Sequence, residues 1–355
     1  MSWRKLRLVG WMIFSFWSIC ALSAGGGLEA ALAQRGSGVG HQGAQMRRQA
    51  DWPARYFAPY NNDAARETDL LALARSSGAR FFTLAFIENA QGQHCRASWN
   101  TRQPIGSWMR ASIEALRASG GDVRVAFGGA VHAELATSCK TLPELVAQYQ
   151  AVIDTYDLTH LDFDIEGKTL RDTHASDLRN RAIAFLQQRA AQAGRPLSIS
   201  YTLPVGTTGL NASGLQLLRN ALHNGVRVDV VNLMTMDYYS KNAPVDQMGR
   251  NAIAAAQSAF RQLRQLYPTK SAAQLWGMLG LTPMIGVNDH TNEIFTLQDA
   301  YMVLSFARQQ HLPLLAFWSM GRDRSCASDQ TAPHGCSGVE QEPYDYAQIF
   351  APFGQ

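Results

Sequence analysis

The chain has 355 residues, of which 46% are hydrophobic and 17% are charged, and its formal net charge is +4. This size and apolar content suit one large folded domain or two small ones, and they exclude an intrinsically disordered chain. The near balance of basic and acidic residues argues against a nucleic-acid-binding protein, so no nucleic acid partner is expected.

The first 33 residues have the pattern of an export signal. A basic start, an apolar run and a small-residue cleavage site follow one another: Arg4, Lys5 and Arg7; Leu8 to Leu22; and Ala31-Leu32-Ala33. Ala21-Leu22-Ser23 is an alternative cleavage site, and an uncleaved anchor is a further alternative, although the run is slightly short for a transmembrane helix. Residues 34–50, rich in Gly, Gln, Ser and Arg, indicate a flexible leader. We expect a secreted or periplasmic protein without membrane attachment after signal cleavage.

Four cysteines follow the predicted signal: Cys95, Cys139, Cys326 and Cys336. An even number of cysteines in an exported protein predicts two disulfides. Among the three possible connectivities we favour pairing of the nearest in sequence, Cys95 with Cys139 and Cys326 with Cys336. The sequence has no CxxC pair and no paired Cys/His spacing of the kind that binds a metal. We therefore expect neither a metal nor a cofactor.

From residue 51 to residue 355, strand-like and helix-like stretches alternate. The predicted strands are Tyr56–Tyr60, Phe81–Ile87, Val123–Phe127, Leu161–Gly167, Leu197–Leu203, Val228–Met236, Leu275–Leu281 and Leu314–Trp318. The helical patterns that follow them are Asp63–Ser77, Trp108–Ala118, Leu142–Tyr156, Leu170–Ala193, Leu210–Asn224, Ala252–Leu266, Leu297–Gln310 and Tyr344–Phe350. Eight such units predict an α/β fold of one domain, a closed (β/α)8 TIM barrel. An open doubly wound sheet is the alternative, but no Gly-rich phosphate fingerprint follows the first strand.

The fourth predicted strand carries three carboxylates, Asp162, Asp164 and Glu166, at every second position. On a strand these acids share one face, while Phe163 and Ile165 share the other. Clustered carboxylates raise one another's pKa and can keep one carboxyl protonated near neutral pH, as a general acid requires. The C-terminal ends of barrel strands are where active sites form. A solvated face of mutually repelling acids is the alternative interpretation.

Acids and aromatic residues also occupy the C-terminal ends of the other predicted strands. In chain order these positions hold Tyr60, Phe86, Glu88, Tyr201, Met234, Met236, Asp237, Tyr238, Tyr239, Met278, Met284 and Trp318. Aromatic faces stack on the C–H surfaces of sugars, and acids bind hydroxyls or transfer protons, so this edge of the barrel favours a carbohydrate ligand. We expect substrate contacts from Tyr60, Phe86, Tyr201, Met234, Tyr238 and Trp318. Core packing is the alternative for each aromatic residue, especially for Tyr60 and Phe86.

The strand-end residues together resemble those of glycoside hydrolase family 18, the chitinases and their relatives. The family's fourth-strand motif D-G-x-D-x-D-x-E is matched in its last three acids, and three further stretches resemble S-x-G-G, M-x-Y-D and the eighth-strand Trp: Ala126-Phe127-Gly128-Gly129, Met234-Thr235-Met236-Asp237 and Trp318. The resemblance covers the chain from about residue 54 to its end. The stretches Leu161–Gly167, Val231–Tyr238 and Thr282–Asp289 look like one bacterial branch of the family.

The resemblance implies a glycoside hydrolase that acts on β-1,4-linked N-acetylglucosamine glycans with retention of configuration. Glu166 would protonate the glycosidic oxygen, and the substrate's own 2-acetamido oxygen would be the nucleophile. Asp164 would orient the acetamido group, Asp162 would share a proton with Asp164, and Asp237 would bind near the acetamido group or the attacking water. Trp318 would lie under the −1 sugar. The implied partner is chitin or an N-acetylglucosamine oligosaccharide, and a monomer is expected.

Three positions depart from the family pattern. The first Asp and the Gly of the acidic motif are Thr159 and His160, the Ser of S-x-G-G is Ala126, and the Tyr of M-x-Y-D is Met236. The last departure matters most, because that tyrosine hydroxyl would bind the acetamido oxygen, and Tyr201, Tyr238 or Tyr239 could replace it. Two alternative functions stay open: a non-hydrolytic chitin-binding protein on the same barrel, and the same chemistry on another N-acetylhexosamine glycan such as peptidoglycan or an N-linked glycan.

Overall fold

A sheet of mostly parallel strands forms the centre of the protein in the computed structural model, which describes residues 51–62, 67–240, 243–327, 331–332 and 335–354. The predicted signal peptide (1–33) and leader (34–50) lie outside these residues. The strands are β1 (Tyr56–Phe57), β2 (Tyr60–Asn61), β3 (Phe81–Asn89), β4 (Ala97–Trp99), β5 (Gln103–Pro104), β6 (Asp122–Gly128), β7 (His160–Asp164), β8 (Ser198–Gly206), β9 (Gly209–Leu210), β10 (Val230–Met234), β11 (Leu279–Thr282), β12 (Gly286–Val287), β13 (Ile294–Phe295) and β14 (Leu314–Leu315).

The sheet closes into a barrel at its first strand, which Ala58 and Pro59 divide into β1 and β2. On one side β1 pairs in parallel with β14, and on the other β2 pairs in parallel with β3. The remaining neighbours are also parallel, in the order β3, β6, β7, β8, β10, β11, β14. Counting β1 and β2 as one strand, the barrel has eight strands, which confirms the predicted (β/α)8 fold.

Helices follow the barrel strands and cover their outer face. They are α1 (Leu70–Ser77), α2 (Arg110–Ala118), α3 (Leu135–Ser138), α4 (Leu142–Tyr156), α5 (Gly167–Arg171), α6 (Thr173–Gln192), α7 (Ala212–His223), α8 (Met248–Leu266), α9 (Ala272–Trp276), α10 (Leu297–Gln309) and α11 (Asp345–Phe350), with 3-10 turns at Met320–Arg322 and Ala351–Gly354. On β7, Phe163 points outward and packs between Phe127 and Tyr149 of α4, with ring centroids 5.2 and 5.4 Å away. The acids on either side of Phe163 therefore point into the barrel.

Among the element boundaries that differ from the sequence-based prediction, two have a clear local cause or consequence. The predicted fourth strand reached Gly167, but β7 ends at Asp164, and Glu166 occupies the N-cap position of α5. Glu166 therefore lies just beyond the hydrogen-bonded part of β7, at the C-terminal opening of the barrel. The predicted seventh strand began at Leu275, but this residue belongs to α9, because Ser271 and Gln274 form a capping box that starts a helix there.

The segment after β3 contains a short antiparallel extension of the sheet, in which β4 pairs with β3 and with β5. A disulfide from Cys95 to Cys139 ties this extension to the segment before α4, and a second disulfide joins Cys326 to Cys336. Both are the pairings favoured from the sequence. Within the part of the chain that the structure describes, no helix has both the length and the apolar character needed to cross a membrane.

Candidate active site

A cavity of about 600 Å³ opens at the C-terminal ends of the barrel strands. Seven of the residues predicted from the sequence as site residues line it: Tyr60, Phe86, Asp164, Glu166, Met234, Asp237 and Trp318. Asp162 lies directly below, fully buried in the barrel interior. The structure therefore brings the four predicted catalytic acids together at or just beneath one cavity.

Asp162 is held as part of a polar network in the barrel interior. Its carboxylate accepts hydrogen bonds from the hydroxyls of Tyr60 (2.7 Å), Thr202 (2.8 Å) and Ser200. The guanidinium of Arg124, itself buried, lies 3.8 Å from the same carboxylate. Three hydroxyl donors and a nearby cation thus compensate the Asp162 carboxyl for its burial beneath the other acids.

Asp164 and Glu166 share a hydrogen bond between their side chains. Burial raises the pKa of Asp164 well above its ordinary value, and the charges of Glu166 and Asp162 raise it further. Burial also raises the pKa of Glu166, although the hydrogen bond from Asp164 lowers it. These directions favour a proton that resides on Asp164 and is donated in a hydrogen bond to Glu166. The second oxygen of Asp164, Oδ1, has no hydrogen-bond partner among the described residues.

Two consecutive glycines allow the chain to pass close beside this pair. Gly128 and Gly129 have φ angles of 103° and 91°, which L side chains rarely adopt. A side chain on Gly128 would collide with the carbonyl oxygen of Asp164, and one on Gly129 would come within 2.9 Å of the Phe86 ring. The Gly129 N–H donates to the Asp164 carbonyl at 3.0 Å. The glycine pair predicted from the sequence thus allows β6 and β7 to approach each other at the site.

Aromatic rings form another part of the cavity wall. The rings of Phe86 and Trp318 are nearly parallel, with centroids 5.7 Å apart, and the Tyr60 ring is 5.8 Å from Trp318. The indole of Trp318 is partly exposed and lines the cavity. A rigid, accessible aromatic face beside two carboxyl groups is suited to stack against a sugar ring.

A network of hydrogen bonds holds the loop that carries Asp237. Asp237 has a left-handed φ of 46°, and its Oδ1 accepts the backbone N–H of His290 at 2.8 Å. The buried carboxylate of Glu293 accepts the backbone N–H groups of Tyr238 and Tyr239 at 2.9 and 3.0 Å. Burial is the main cause that raises the pKa of Asp237. Residues 288–293 thus determine the position of the Asp237 carboxyl group.

Two residues predicted to contact the substrate do not line the cavity. Tyr201 does not line the cavity: it is fully buried on the outer face of β8, where its hydroxyl donates to Asn180 of α6. Ser200 and Thr202, its neighbours, are the residues of β8 that face inward. Tyr238 is also buried in the apolar core and away from the cavity, because the left-handed turn at Asp237 redirects the chain.

Among the described residues, none of the candidates Tyr201, Tyr238 and Tyr239 lines the cavity to replace the hydroxyl that is missing at Met236. Met236 itself lines the cavity, as the family pattern implies for this position. Tyr201 and Tyr238 are buried elsewhere, and Tyr239 is 66% exposed and packs on His290 without lining the cavity. Among the described lining residues the one tyrosine is Tyr60, and its hydroxyl is bound to Asp162.

Several residues of the cavity wall were not selected from the sequence as site residues: Glu88, Asn100, Thr202, Met284, Asp289 and Arg322. Glu88 and Met284 were recognised at strand ends, so the signal for them was present. Arg322 follows Trp318 in a 3-10 turn, and its guanidinium donates to the carbonyl oxygens of Ile285 and Val287. No group of three His, Cys, Asp or Glu side chains in the described residues is arranged to hold a metal ion.

A TIM barrel with a proton-sharing acid pair and an aromatic wall at its mouth is characteristic of a glycoside hydrolase. The chain is 37% identical over 311 residues to a protein named "Probable bifunctional chitinase/lysozyme" from Escherichia coli (strain K12), and 36% identical over 283 residues to "Endochitinase 11" from Metarhizium anisopliae. These matches cover 85% and 78% of the chain. They cover 35% and 54% of the two relatives, so the chain spans about a third and about half of their lengths.

The structure is similar to the catalytic domain of a hyperthermophilic chitinase from Pyrococcus furiosus, with a TM-score of 0.77 and 35% identity over 86% of this chain and 96% of that one. The chain therefore belongs to glycoside hydrolase family 18, the chitinases. A family 18 chitinase from Pseudoalteromonas aurantia, 15% identical with a TM-score of 0.54 over 84% of this chain and 99% of that one, has the same fold. No protein-family model matches the chain.

Proposed function

We propose that this protein is a chitinase that hydrolyses β-1,4-linked N-acetylglucosamine glycans, with Glu166 as the general acid. The observation that carries the proposal is the coupled acid pair, in which Asp164 donates to Glu166 at the mouth of the barrel. Burial raises the pKa of both groups, which favours retention of a transferable proton in the cavity. The presence of Glu166 favours hydrolysis over a binding protein on the same barrel.

The same geometry favours participation of the substrate's acetamido group over a second protein carboxylate. In the two-carboxylate retaining scheme, one carboxyl is a nucleophile free to reach the sugar carbon. Here the nearest acid, Asp164, is hydrogen-bonded to Glu166, and its raised pKa favours the neutral form, which is a poor nucleophile. Asp162 lies below the cavity in its hydroxyl network. Asp164 would instead hold the acetamido group through its unpartnered Oδ1, and Asp237 would bind that group or the attacking water.

We further propose that the protein acts outside the cytoplasm. Two disulfides close the β4 and Cys326–Cys336 segments, and such bonds persist in oxidising compartments. The signal-like pattern of residues 1–33 is consistent with export to the periplasm or the medium.

A comparison of substrates tests the proposed activity. We expect the protein to release short products from N-acetylglucosamine hexamer at a rate at least tenfold above that from peptidoglycan, because the peptide stem of peptidoglycan carries carboxylates and most of the ionisable residues in the cavity wall are acids. Chromatography of the products would measure both rates, and proton NMR of the first product would show the β anomer if configuration is retained. A higher rate on peptidoglycan would indicate that peptidoglycan is the preferred substrate. The comparison with peptidoglycan is needed because the name of the Escherichia coli relative includes lysozyme. Binding of the hexamer without turnover would indicate a binding protein.

Glu293 is not among the cavity-lining residues, so its replacement should weaken catalysis indirectly, by displacing the loop that carries Asp237. In Glu293→Gln the side chain keeps its size, but it has one carbonyl oxygen where two carboxylate oxygens now serve Tyr238, Tyr239 and His290. We expect kcat to fall about tenfold to a hundredfold, since small displacements of a catalytic group have effects of this size. Steady-state kinetics on the hexamer would measure kcat and KM. The exposed Glu340→Gln is the matched control; equal kcat in the two variants would contradict the positioning role.

A further inference from the structure

Glu88, at the end of β3, is a buried carboxyl in the cavity wall that the acid cluster does not involve. It lines the cavity, yet its side chain is only 2% exposed. Its Oε2 atom has no hydrogen-bond partner among the described residues. A buried polar atom without a partner is costly to the fold, which suggests that a ligand satisfies it.

The barrel places Glu88 away from the bond that Glu166 would protonate. β3 and β7 are two strands apart in the sheet order, which corresponds to about 10 Å around the barrel wall. β3 and β10 are four strands apart in the eight-stranded barrel, so Glu88 and Asp237 stand on opposite walls. An oligosaccharide that spans the cavity from Asp237 would therefore reach Glu88 with a different sugar unit.

The wall around Glu88 is held rigidly before any ligand arrives. Glu88 pairs with Ser98 of β4, and the next residue, Asn89, donates its N–H to the carbonyl of Ala133 at 2.9 Å. The disulfide from Cys95 to Cys139 fixes the same extension to the segment before α4. A prearranged polar group costs little ordering entropy when it binds, which suits a recognition contact.

We propose that the Glu88 carboxyl is a sugar-binding group that hydrogen-bonds, in its neutral form, a unit of the N-acetylglucosamine oligomer away from the scissile bond. The inference rests on the proposed function for the identity of the ligand. A neutral carboxyl both donates and accepts, so it matches a sugar hydroxyl or an acetamide. A ligand that places a group without a donor or an acceptor against Glu88 would bind more weakly, because the Glu88 oxygen would stay unpaired.

Burial keeps Glu88 in that neutral form. Around β3, the charged and titratable groups on neighbouring elements include Tyr60 on β2, Arg96 and Arg102 beside β4, Asp122 and Arg124 on β6, and His132 and Glu134 before α3. Across the cavity stand Asp164, Glu166, Asp237, Asp289 and Arg322. Burial, not any of these charges, raises the pKa of Glu88 to about 8. One pH unit above that value, about a tenth of the group remains neutral, so binding through the neutral form should weaken about tenfold at pH 9.

Ligand binding in a background that cannot turn over tests the inference. The parent protein carries Glu166→Gln, and every further variant is made in this background. Calorimetry measures the Kd for N-acetylglucosamine hexamer at pH 6 and pH 9. Glu88→Gln keeps a donor and an acceptor but cannot ionise, so we expect its affinity at pH 6 to stay within threefold of the parent and to change less at pH 9. The parent should lose about tenfold between the two pH values. Glu88→Met, of similar length without hydrogen bonding, should bind about tenfold more weakly than the parent at pH 6.

Three results would overturn the inference: equal affinity of Glu88→Met and the parent at pH 6, the same pH response in the parent and Glu88→Gln, or no binding of the hexamer by the parent. If Glu88→Met does not fold, as thermal unfolding would show, the pH comparison of the parent with Glu88→Gln decides alone. Hydrolysis by the wild-type protein is measured separately. A protein that binds through Glu88 but does not hydrolyse would contradict the proposed function and leave this inference standing.

Discussion

Glu166→Gln should lower kcat on N-acetylglucosamine hexamer by about a thousandfold and change KM little. General-acid catalysis contributes about 10²- to 10⁴-fold, and glutamine cannot supply the proton that the leaving sugar oxygen needs. The fold should persist, because Glu166 occupies the N-cap position of α5 without making a side-chain capping bond. A thousandfold loss corresponds to about 4 kcal/mol of transition-state stabilisation.

The leaving group makes this prediction specific to proton donation. An aryl glycoside whose phenol has a low pKa departs with little protonation, so Glu166→Gln should slow its cleavage much less than cleavage of the hexamer. The wild-type rate on the hexamer should also fall as the pH rises through the raised pKa of Glu166, and this alkaline limb should be absent in the variant. Thermal unfolding of both proteins is the control for folding. Equal losses on the two substrates would show that Glu166 does not act as the acid.

The barrel could be predicted from sequence because its determinants are periodic. Apolar strand-like stretches and helical patterns alternate throughout the described residues, and that alternation leads to parallel pairing. The acid cluster was predictable for the same reason: Asp162 and Asp164 occupy alternate positions of β7, and Phe163 between them packs outward. The outer end of the motif was not predicted correctly: the strand was expected to reach Gly167, but it ends at Asp164 and a helix begins after Glu166.

The errors at the site arise where a shift of one residue along a strand, or a single turn, determines which side chain faces the cavity. Tyr201 was placed at the mouth because it lies near the end of a strand, but alternation along β8 sends Ser200 and Thr202 inward and Tyr201 outward. Tyr238 turns away because Asp237 adopts a left-handed φ, which no strand periodicity predicts. Residues from loops depend on long-range contacts: Arg322 reaches the cavity through hydrogen bonds to a segment 35 or more positions earlier.

Asp164→Asn should lower kcat by about a hundredfold to a thousandfold, the range found for removal of a group that stabilises developing charge. In the free protein, asparagine can replace the proton-bearing carboxyl as a donor to Glu166, so the hydrogen bond between the two side chains can persist. What asparagine cannot do is become negative. The positive charge that develops on the participating acetamido group would then lack its closest counter-ion, and the proton could no longer pass between Asp162, Asp164 and Glu166.

Asp164→Ala separates these two contributions. It removes the donor as well as the charge, so Glu166 loses the hydrogen bond that lowers its pKa, and the alkaline limb of the pH–rate profile should move to higher pH. In Asp164→Asn that limb should stay near its wild-type position while the maximal rate falls. Profiles of kcat and kcat/KM against pH on the hexamer would measure both effects, with Glu340→Gln as the exposed control. If kcat of Asp164→Asn stayed within threefold of wild type, the charge on Asp164 would have no role, and the acetamido group would need another counter-ion, for which Asp237 and Asp289 of the cavity wall are the candidates.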